Sequence, residues 1–314
     1  MKHIVEKIKE FNKIVIHGHG RPDGDCIGSQ YGLMHLIKTN FPEKEVYVTG
    51  TDSEFVSFIG RPTLVEDDCF NGALSICVDC ATTERLSDPR YLKSDYCIKI
   101  DHHIPVDNYG DYQYVDVTSP ACAQIIVELA NKEGWIISKE AALALYVGIL
   151  TDTGRFKFDS VNSRTFMAAA SLVDAGVDLG YVDNKLSVES LEALKLKGYV
   201  LSNFKISENG FAYVTLTREI IDSFGVSNED AASQVSTIST IEGSPVWAIF
   251  LEYSKEEIRV RLRSRGPIIN TLAEQYRGGG HAKASGASLL DWSELDDFVS
   301  KADSIVAEYK KTLK

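Results

Sequence analysis

The chain has 314 residues, of which 44% are hydrophobic and 25% are charged, and its formal net charge at pH 7 is -12. This length and balance are typical of a globular protein with two domains. The negative charge argues against general binding of long nucleic acids, because that binding depends on neutralising phosphates with basic side chains. A local basic surface for a short anionic substrate is compatible with the composition.

The N-terminal segment is predicted to be a helix rather than a targeting signal. Ile4, Val5, Ile8 and Phe11 recur at helical spacing among Lys and Glu, which indicates an amphipathic helix rather than the apolar block of a signal peptide. No apolar run approaches the length of about 20 residues that crosses a bilayer. We therefore expect a cytoplasmic protein that does not associate with membranes.

The cysteines predict neither a redox centre nor a zinc site. Several lie in apolar, strand-like runs, where a thiol packs as a small hydrophobic group. Cys77 and Cys80 form a C-x-x-C pair, but Val78 and Asp79 between them continue a strand rather than open a helix. We expect reduced, structural thiols at all six positions, which are Cys26, Cys69, Cys77, Cys80, Cys97 and Cys122.

The first half of the chain alternates short apolar strands with helical patterns. Strands are predicted at residues 13–16, 46–48, 74–78 and 96–100. The pattern then becomes helical, with Ser119 as the N-cap and Pro120 in the first turn of a helix at 121–132. This alternation indicates an α/β domain with a mostly parallel, doubly wound sheet and helices on both faces.

After residue 203 the pattern changes to that of a smaller α+β domain. Strands are predicted at 204–207, 211–216, 246–252 and 258–263, followed by a glycine-rich loop and a final helix from about Trp292. These strands would form a mixed sheet. We expect one domain at 1–185, a helical connector at 186–203 and a second domain at 204–314, with a cleft between the two domains.

Polar side chains follow the predicted strands at the points where the strands end. The first strand is followed by a loop of glycines and a proline that contains His19, Asp23 and Asp25, and Asp79 follows the third strand. The fourth strand is followed by the triplet 101–103, Asp-His-His. Because the carboxyl ends of parallel strands line a shared crevice, these residues are expected to converge.

Asp152, at the end of a predicted helix, is a further candidate for the same crevice. A single Asp at a strand end is more often a turn or cap residue, so the prediction depends on the whole set. Carboxylate and imidazole ligands suit manganese, magnesium or iron better than structural zinc. Two such ions about 3.5–4 Å apart can activate a water and stabilise the displacement of a phosphoryl group.

In combination these residues resemble the motifs of the DHH phosphoesterase superfamily. The matching elements, in chain order, are His19-x-x-Pro22-Asp23-x-Asp25-x-x-Gly28-Ser29, Asp79, Asp101-His102-His103 and Asp152. The resemblance implies two Mn²⁺ ions bridged by Asp79, and Mg²⁺ or another divalent ion would suit the same ligands. It implies the ligand set His19, Asp23 and Asp79 for one ion and Asp25, Asp79, His102 and Asp152 for the other.

The same resemblance implies roles for the remaining residues of the triplet. His103 would face the scissile phosphate, as a phosphate ligand or as a proton donor to the leaving oxygen. Asp101 would hydrogen-bond an imidazole and so fix its tautomer. Two interpretations stay open for His17, which is either a further ligand or a strand-end residue that supports the loop.

Basic side chains are concentrated between Lys255 and Gly286, where seven basic residues against three acidic ones leave a net charge of +4. Within this segment Arg259, Arg261 and Arg263 alternate with apolar residues, so the arginines are expected to form a ridge on one face of a strand. Such a ridge is either a solvated sheet face or a surface that binds a phosphate or carboxylate group.

A run of glycines, Gly278, Gly279 and Gly280, precedes His281. Consecutive glycines form either a flexible loop or a site where backbone N–H groups approach an anion closely. The run resembles the GGGH loop of the DHH-associated C-terminal domain. The resemblance implies that Arg263, His281 and the backbone of Gly279 and Gly280 orient the substrate.

Together the two halves are similar to DHH enzymes of the nano-RNase A type. That similarity implies a hydrolase that degrades short RNA oligonucleotides, or linear dinucleotides such as pApA and pGpG, to mononucleotides. It also implies 3'-phosphoadenosine 5'-phosphate as a second substrate. A fixed gap between the metals and the loop that holds the substrate end would explain a preference for short substrates. A homodimer is common among similar proteins and stays open here.

Alternative functions share the same metal site. A single-strand DNA exonuclease of the superfamily would usually be longer and more basic, with an added binding fold. A cyclic-dinucleotide phosphodiesterase of the membrane type would add transmembrane and sensory segments, and an inorganic pyrophosphatase would have a different second domain. A non-catalytic nucleotide-binding regulator would have lost some of the ligands, whereas the set here is complete.

Overall fold

The computed structural model describes residues 1–254 and 257–313. Lys255 and Glu256, which belong to the predicted basic segment, lie outside the described residues. The chain divides into two compact units, Met1–Val188 and Glu189–Lys314.

The first unit is built on a parallel sheet of strands β1 to β5 in the order β2-β1-β3-β4-β5. The strands are β1 (Lys13–His17), β2 (Glu45–Thr49), β3 (Ala73–Val78), β4 (Tyr96–Asp101) and β5 (Tyr112–Val115). The four predicted strands are confirmed, each longer by one or two residues. The helices are α1 (Lys2–Glu10), α2 (Gly24–Asn40), α3 (Cys122–Glu133), α4 (Lys139–Asp152), α5 (Ser163–Asp174) and α6 (Leu179–Ser187).

Alternate residues of these strands enter different parts of the core, because successive side chains of a strand point to opposite faces. On one face Ile14, Ile76 and Ile100 pack in a single large cluster with apolar residues of α1 to α5. On the other face the sheet contacts segments that contain the short 3-10 helices Asp67–Cys69 and Pro89–Lys93. The parallel α/β fold predicted from the sequence is thus confirmed.

The start of α3 corrects the predicted cap. The helix begins at Cys122 with Ala121 as its N-cap, and neither Ser119 nor Pro120 caps it. The physical reason is that the carboxylate of Asp25, from α2, accepts hydrogen bonds from the first backbone N–H groups of α3. Asp25, which is distant in sequence, thus caps α3 in place of a local N-cap side chain.

The second unit contains a mixed sheet in the order β10-β11-β9-β8-β7-β6, in which only β7 and β8 of the described strands are parallel. The strands are β6 (Lys205–Ile206), β7 (Phe211–Leu216), β8 (Val246–Ser254), β9 (Glu257–Ser264), β10 (Gly279–His281) and β11 (Ala284–Leu289). The helices are α7 (Leu191–Asn203), α8 (Arg218–Phe224), α9 (Asn228–Ser233), α10 (Asn270–Gln275) and α11 (Leu295–Thr312). The predicted α+β unit with a mixed sheet is confirmed.

The glycine-rich segment is the main correction in this unit, because part of the predicted loop is strand β10. It pairs antiparallel with β11, Gly279 opposite Gly286. A Cβ atom at Gly278 would overlap the carbonyl oxygen of Gly286, and Gly280 has a φ of +132°. The glycines therefore permit a close approach of two backbones as well as an unusual turn.

The two faces of the second sheet are covered differently. Val260 and Leu262 pack with residues of α10 and α11 in one cluster. On the opposite face Ile249 packs with residues of α7, α8 and α9. Since alternate residues of β9 share a face, Arg261 and Arg263 lie on the side opposite Val260 and Leu262. The sequence prediction of an arginine ridge on one face of this strand agrees with this register.

Candidate metal centre

The loop between β1 and α2, together with the first turn of α2, places His19, Asp23 and Asp25 at the carboxyl end of the sheet. Asp23 is the N-cap of α2, and its Oδ1 accepts hydrogen bonds from the backbone N–H groups of Asp25 at 3.1 Å and Cys26 at 3.0 Å. A Cβ atom at Gly28 would lie 2.5 Å from the carbonyl oxygen of Ala144. The start of α2 can therefore approach α4 closely, which brings Asp25 near Asp152 at the end of α4.

Asp79 is the central residue of the arrangement. It follows β3 directly, is almost fully buried, and has a φ of +53°, in the left-handed region that non-glycine residues rarely adopt. Its Oδ2 lies 3.5 Å from Nε2 of His19, and its Oδ1 lies 3.3 Å from Nε2 of His102. The strained backbone thus holds one carboxylate between two imidazoles.

His102 faces three carboxylates with one nitrogen. Its Nδ1 lies 3.2 Å from the carbonyl oxygen of Ser119, which makes Nδ1 a hydrogen-bond donor and turns Nε2 toward the carboxylates. This Nε2 lies 3.3 Å from Asp79 Oδ1, 3.3 Å from Asp152 Oδ2 and 3.8 Å from Asp25 Oδ2. The orientation is that of an imidazole ligand fixed by a hydrogen bond on its other side.

His103 is held by Asp101 in a different way. Nδ1 of His103 donates a hydrogen bond of 2.8 Å to Oδ1 of Asp101, which also accepts from the backbone N–H of His102 at 2.9 Å. Asp101 is fully buried, whereas the side chain of His103 is 39% exposed. The hydrogen bond to Asp101 raises the pKa of His103 above its ordinary value.

The electrostatics of the centre favour a bound cation. Burial and the neighbouring charge of Asp79 raise the pKa of Asp25 well above its ordinary value, and burial raises that of Asp152 to about 7. Burial alone would lower the pKa of His102, but the close contact with the Asp79 carboxylate and the charges of Asp25 and Asp152 raise it to about 10. Several buried acids that repel one another are unfavourable unless positive charge is supplied.

The donor set fits a metal ion in a second respect. Nδ1 of His19 and Oδ1 of Asp79 are buried and have no hydrogen-bond partner among the described residues. Three groups of possible ligands have their donor atoms within 4.8 Å of one another. Asp79 belongs to two of these groups, which are His19-Cys26-Asp79, Asp79-His102-His103 and Asp25-His102-Asp152.

Cys26 is a neighbour that sequence reasoning did not single out, since all six cysteines were predicted to be structural. Its thiol is buried beside His19 and Asp79. Burial, and then the charge of Asp79, raise the pKa of Cys26 well above its ordinary value, which favours the neutral thiol over the thiolate that binds metals.

The centre opens into a cavity of about 110 Å³ that is also lined by Arg21 and Arg85. Neither guanidinium has an ion-pair partner among the residues that the structure describes. A hydrogen bond of 2.7 Å from the backbone N–H of Gly20 to the carbonyl oxygen of Arg85 joins the two loops that carry them. Sequence reasoning missed both arginines, although Arg21 lies inside the quoted motif. Their charge suits the phosphate of a substrate.

His17 lies away from the metal ligands, in the core on the other face of the sheet. Its Nε2 lies 3.0 Å from Oγ of Ser75, and its ring contacts Phe70 and Tyr91. Burial lowers the pKa of His17 to about 4, so the imidazole is neutral at pH 7. These contacts favour the interpretation of His17 as a residue that supports the loop.

The second unit brings the other predicted site residues together around Ala284. Ala284 pairs with Arg263 on one side and with His281 on the other. The Arg263 guanidinium donates to the carbonyl oxygens of Leu262 at 2.9 Å and Ser285 at 3.3 Å. No carboxylate of the described residues lies within ion-pair distance of it. Burial and the charge of Arg261 lower the pKa of Arg263.

Comparison with known proteins gives two family matches. Residues 13–149 match the DHH family, N-terminal domain, and residues 208–308 match the DHHA1 domain. A protein of Streptococcus mutans named as a probable bifunctional oligoribonuclease and PAP phosphatase NrnA is 38% identical, over 97% of this chain and 98% of its own. A Bacillus subtilis protein named as a bifunctional oligoribonuclease and PAP phosphatase NrnA is 36% identical, over 98% and 99% respectively.

A solved structure shows the same fold over nearly the whole chain. It is an exopolyphosphatase-related protein of Bacteroides fragilis, with a TM-score of 0.86, 28% identity, and coverage of 99% of this chain and 96% of its own. Fold and matches together define the class of the protein, a metal-dependent phosphoesterase. More particularly, the chain belongs to the DHH family, in the branch that carries a C-terminal DHHA1 domain.

In the part of the chain that the structure describes, no helix is long and apolar enough to cross a bilayer.

Proposed function

We propose that this protein is a manganese-dependent phosphodiesterase of the cytoplasm that degrades short oligoribonucleotides and linear dinucleotides to mononucleotides. We include in the proposal the conversion of 3'-phosphoadenosine 5'-phosphate to AMP. The observation that carries it is the position of the Asp79 carboxylate between His19 and His102, at 3.5 and 3.3 Å. The names of the full-length relatives, oligoribonuclease and PAP phosphatase, support this choice of substrates.

The proposed ligands form two sets that share Asp79. The sets are His19, Asp23 and Asp79 for one ion and Asp25, Asp79, His102 and Asp152 for the other. Asp23 and Asp25 already accept backbone hydrogen bonds, but a carboxylate has about four lone-pair positions and keeps capacity for an ion. Oxygen and imidazole donors favour manganese or magnesium over a thiolate-preferring ion. When bound, two divalent ions lower the pKa of a water molecule and neutralise charge that develops on the phosphate.

The chain itself supplies the proton and the orientation of the substrate. His103 lines the cavity, and its hydrogen bond to Asp101 raises its pKa, which favours the protonated imidazole as the group that donates a proton to the leaving oxygen or binds the phosphate. Arg21 and Arg85 line the same cavity and attract the phosphate to it. The buried surroundings of Asp101 keep His103 in one orientation.

We assign the two roles to different parts of the chain. Residues 1–185 form the catalytic, metal-binding domain, 186–203 a helical connector, and 204–314 the domain that binds the substrate end remote from the scissile phosphate. Arg263 supports this assignment, because its guanidinium has no carboxylate partner among the described residues and is therefore available to an anion. Gly279, Gly280 and His281 lie on the neighbouring hairpin of β10 and β11.

The experiment measures hydrolysis of an RNA dinucleotide, a five-residue RNA, a twenty-residue RNA and 3'-phosphoadenosine 5'-phosphate, with Mn²⁺ and with chelator. Asp79→Asn is the test variant, because Asn tolerates the left-handed backbone at this position. Asp178→Asn, at the N-cap of α6, is the matched control. We expect manganese-dependent release of mononucleotides from the short substrates, lost only in Asp79→Asn. Equal turnover of the long and short RNAs, or activity on none of the substrates, contradicts the proposal.

A further inference from the structure

Lys99 is a fully buried lysine in the middle of β4, with 0% of its side chain exposed. Its Nζ donates hydrogen bonds to the carbonyl oxygens of Ala81 at 2.9 Å and Asp107 at 3.3 Å, and lies 4.7 Å from the centre of the Tyr109 ring. Burying an ammonium group is costly unless it is paired and hydrogen-bonded. The buried ammonium of Lys99 must therefore be stabilised by the groups around it.

The charged partner of Lys99 is Asp101. Nζ of Lys99 lies 3.5 Å from Oδ2 of Asp101, and both side chains are fully buried. The other oxygen, Oδ1, accepts the hydrogen bond from Nδ1 of His103. Oδ2 has no hydrogen-bond partner of its own among the described residues. The ammonium of Lys99 thus balances the oxygen that His103 does not use.

We propose that Lys99 is a positioning residue, which fixes the carboxylate of Asp101 and through it the imidazole of His103. The chain of contacts runs from the buried ammonium to Oδ2, across the carboxylate, and from Oδ1 to Nδ1 of His103. Its importance for turnover rests on the proposed function of His103. Its geometric part, the orientation of the His103 ring, stands without that function.

The two carbonyl contacts of Lys99 also connect it to the wall of the cavity. Ala81 lines the cavity of the metal centre, and Asp107 lies in the loop after β4. The carboxylate of Asp107 in turn accepts hydrogen bonds from the backbone N–H and the hydroxyl of Thr83, at 3.0 and 2.7 Å. One ammonium therefore ties the loops that follow β3 and β4 to the strand that carries Asp101.

Loss of the ammonium affects turnover more than substrate binding. In Lys99→Met the Asp101 carboxylate loses its counter-charge while the apolar stem of the side chain is kept. We expect kcat for the RNA dinucleotide to fall about 10–100-fold, the usual effect of removing a group that orients a functional histidine, with KM changed less than about twofold. Lys99→Arg keeps the charge, and we expect a kcat closer to the wild-type value.

The matched control is Lys44→Met. Lys44 is also buried, and its Nζ donates to two carbonyl oxygens, of Lys9 at 3.1 Å and Phe11 at 2.8 Å, but it has no carboxylate partner among the described residues. It shares the burial and the carbonyl contacts of Lys99, without Asp101. We expect Lys44→Met to lower the melting temperature and to leave kcat unchanged.

A double-mutant cycle with Asp101→Asn separates positioning from general destabilisation. If Lys99 acts through Asp101, adding Lys99→Met to Asp101→Asn causes no further loss of kcat. Multiplicative losses in the double variant would overturn the proposal. So would a kcat of Lys99→Met that equals wild type while the melting temperature falls as in Lys44→Met.

A spectroscopic measurement keeps the inference testable if the wild-type protein hydrolyses none of the substrates, or if Lys99→Met fails to fold. Histidine-labelled protein is studied by NMR, and the Nδ1–H signal of His103 is assigned by its loss in His103→Gln. We expect this signal to shift or broaden in Lys99→Met, and in Lys99→Gln as the second variant, but not in Lys44→Met. An unchanged signal in a folded Lys99 variant would overturn the proposal independently of any activity.

Discussion

The carboxylate of Asp25 caps the helix that begins at Cys122, with a hydrogen bond of 2.6 Å from the backbone N–H of Cys122 to Oδ2. Oδ1 accepts a second one, of 2.9 Å, from the N–H of Ala123. Since α3 has no side-chain cap of its own, a proposed metal ligand also stabilises a helix N-terminus. One residue thereby joins α2, α3 and the metal centre.

This double role predicts that Asp25 variants differ in stability. Asp25→Ala removes both acceptors, and we expect the free energy of unfolding of the metal-free protein to fall by about 1–3 kcal/mol. Asp25→Asn keeps one acceptor and should lose less stability, although it loses activity as well. Urea unfolding followed by circular dichroism measures both. Asp152→Asn is the control, because it alters the same centre without a capping role; equal stability of Asp25→Ala and Asp152→Asn would contradict the capping role.

Metal binding should stabilise the first unit strongly, because it relieves the repulsion among Asp25, Asp79 and Asp152. With Mn²⁺ in large excess over its dissociation constant, we expect the melting temperature to rise by about 10 °C. Asp79→Asn should lose most of this rise, and Asp178→Asn should keep it. Differential scanning fluorimetry with and without chelator tests the prediction, and the same rise in both variants would place the ion elsewhere.

The low pKa of His17 in the folded protein predicts that stability depends on pH. Burial lowers its pKa in the folded protein to about 4, whereas the unfolded chain has the ordinary value of 6.5, so the unfolded state binds the extra proton first. The full stability is present above pH 6.5 and falls as the pH drops toward 4, by roughly 3 kcal/mol from this group. Urea unfolding of chelator-treated wild type and His17→Gln at several pH values tests this. The variant should show a shallower fall, and parallel curves would contradict the assignment.

Arg263 and Arg259 should respond differently to the same substitution. Arg263 has no carboxylate partner among the described residues, whereas Arg259 pairs with Glu257 at 3.1 Å and stacks 3.8 Å from the centre of the Tyr253 ring. For the RNA dinucleotide we expect Arg263→Met to raise KM about tenfold or more, as for loss of a charged hydrogen bond to an anion. Arg259→Met should change KM less than about twofold. A similar rise in KM in both variants would contradict a specific role of Arg263 and would mean that the arginine ridge attracts the substrate only through its overall charge.

The sequence predicted the parallel sheet well, because its central strands are short, apolar and buried on both faces, as 74–78 is. The candidate ligands could be named for a related reason, since they directly follow those strands. Strand β5 was missed because Tyr112, Gln113, Tyr114 and Val115 are only partly buried and show no clear alternation. Strand β10 was predicted as a loop because glycine has no strand preference, and only its pairing with β11 makes it extended.

Other features could not be predicted because they join residues that are distant in the chain. The Asp25 cap spans 97 positions, and the Lys99 contact with Ala81 spans 18. A lysine inside the apolar run at 96–100 gives no local sign of a buried partner two residues later. Arg85 carries no motif at all and reaches the cavity only through the loop after β3. Local patterns predict the candidate ligands, whereas only tertiary contacts show which residues pack against them.

The most direct test of the proposed two-metal centre is a crystal structure of the manganese-loaded protein with anomalous diffraction data collected at the manganese absorption edge. We expect two anomalous peaks about 3.5–4 Å apart, each within bonding distance of an Asp79 oxygen, one beside His19 and the other beside His102. A single peak, or peaks that Asp79 does not bridge, would contradict it.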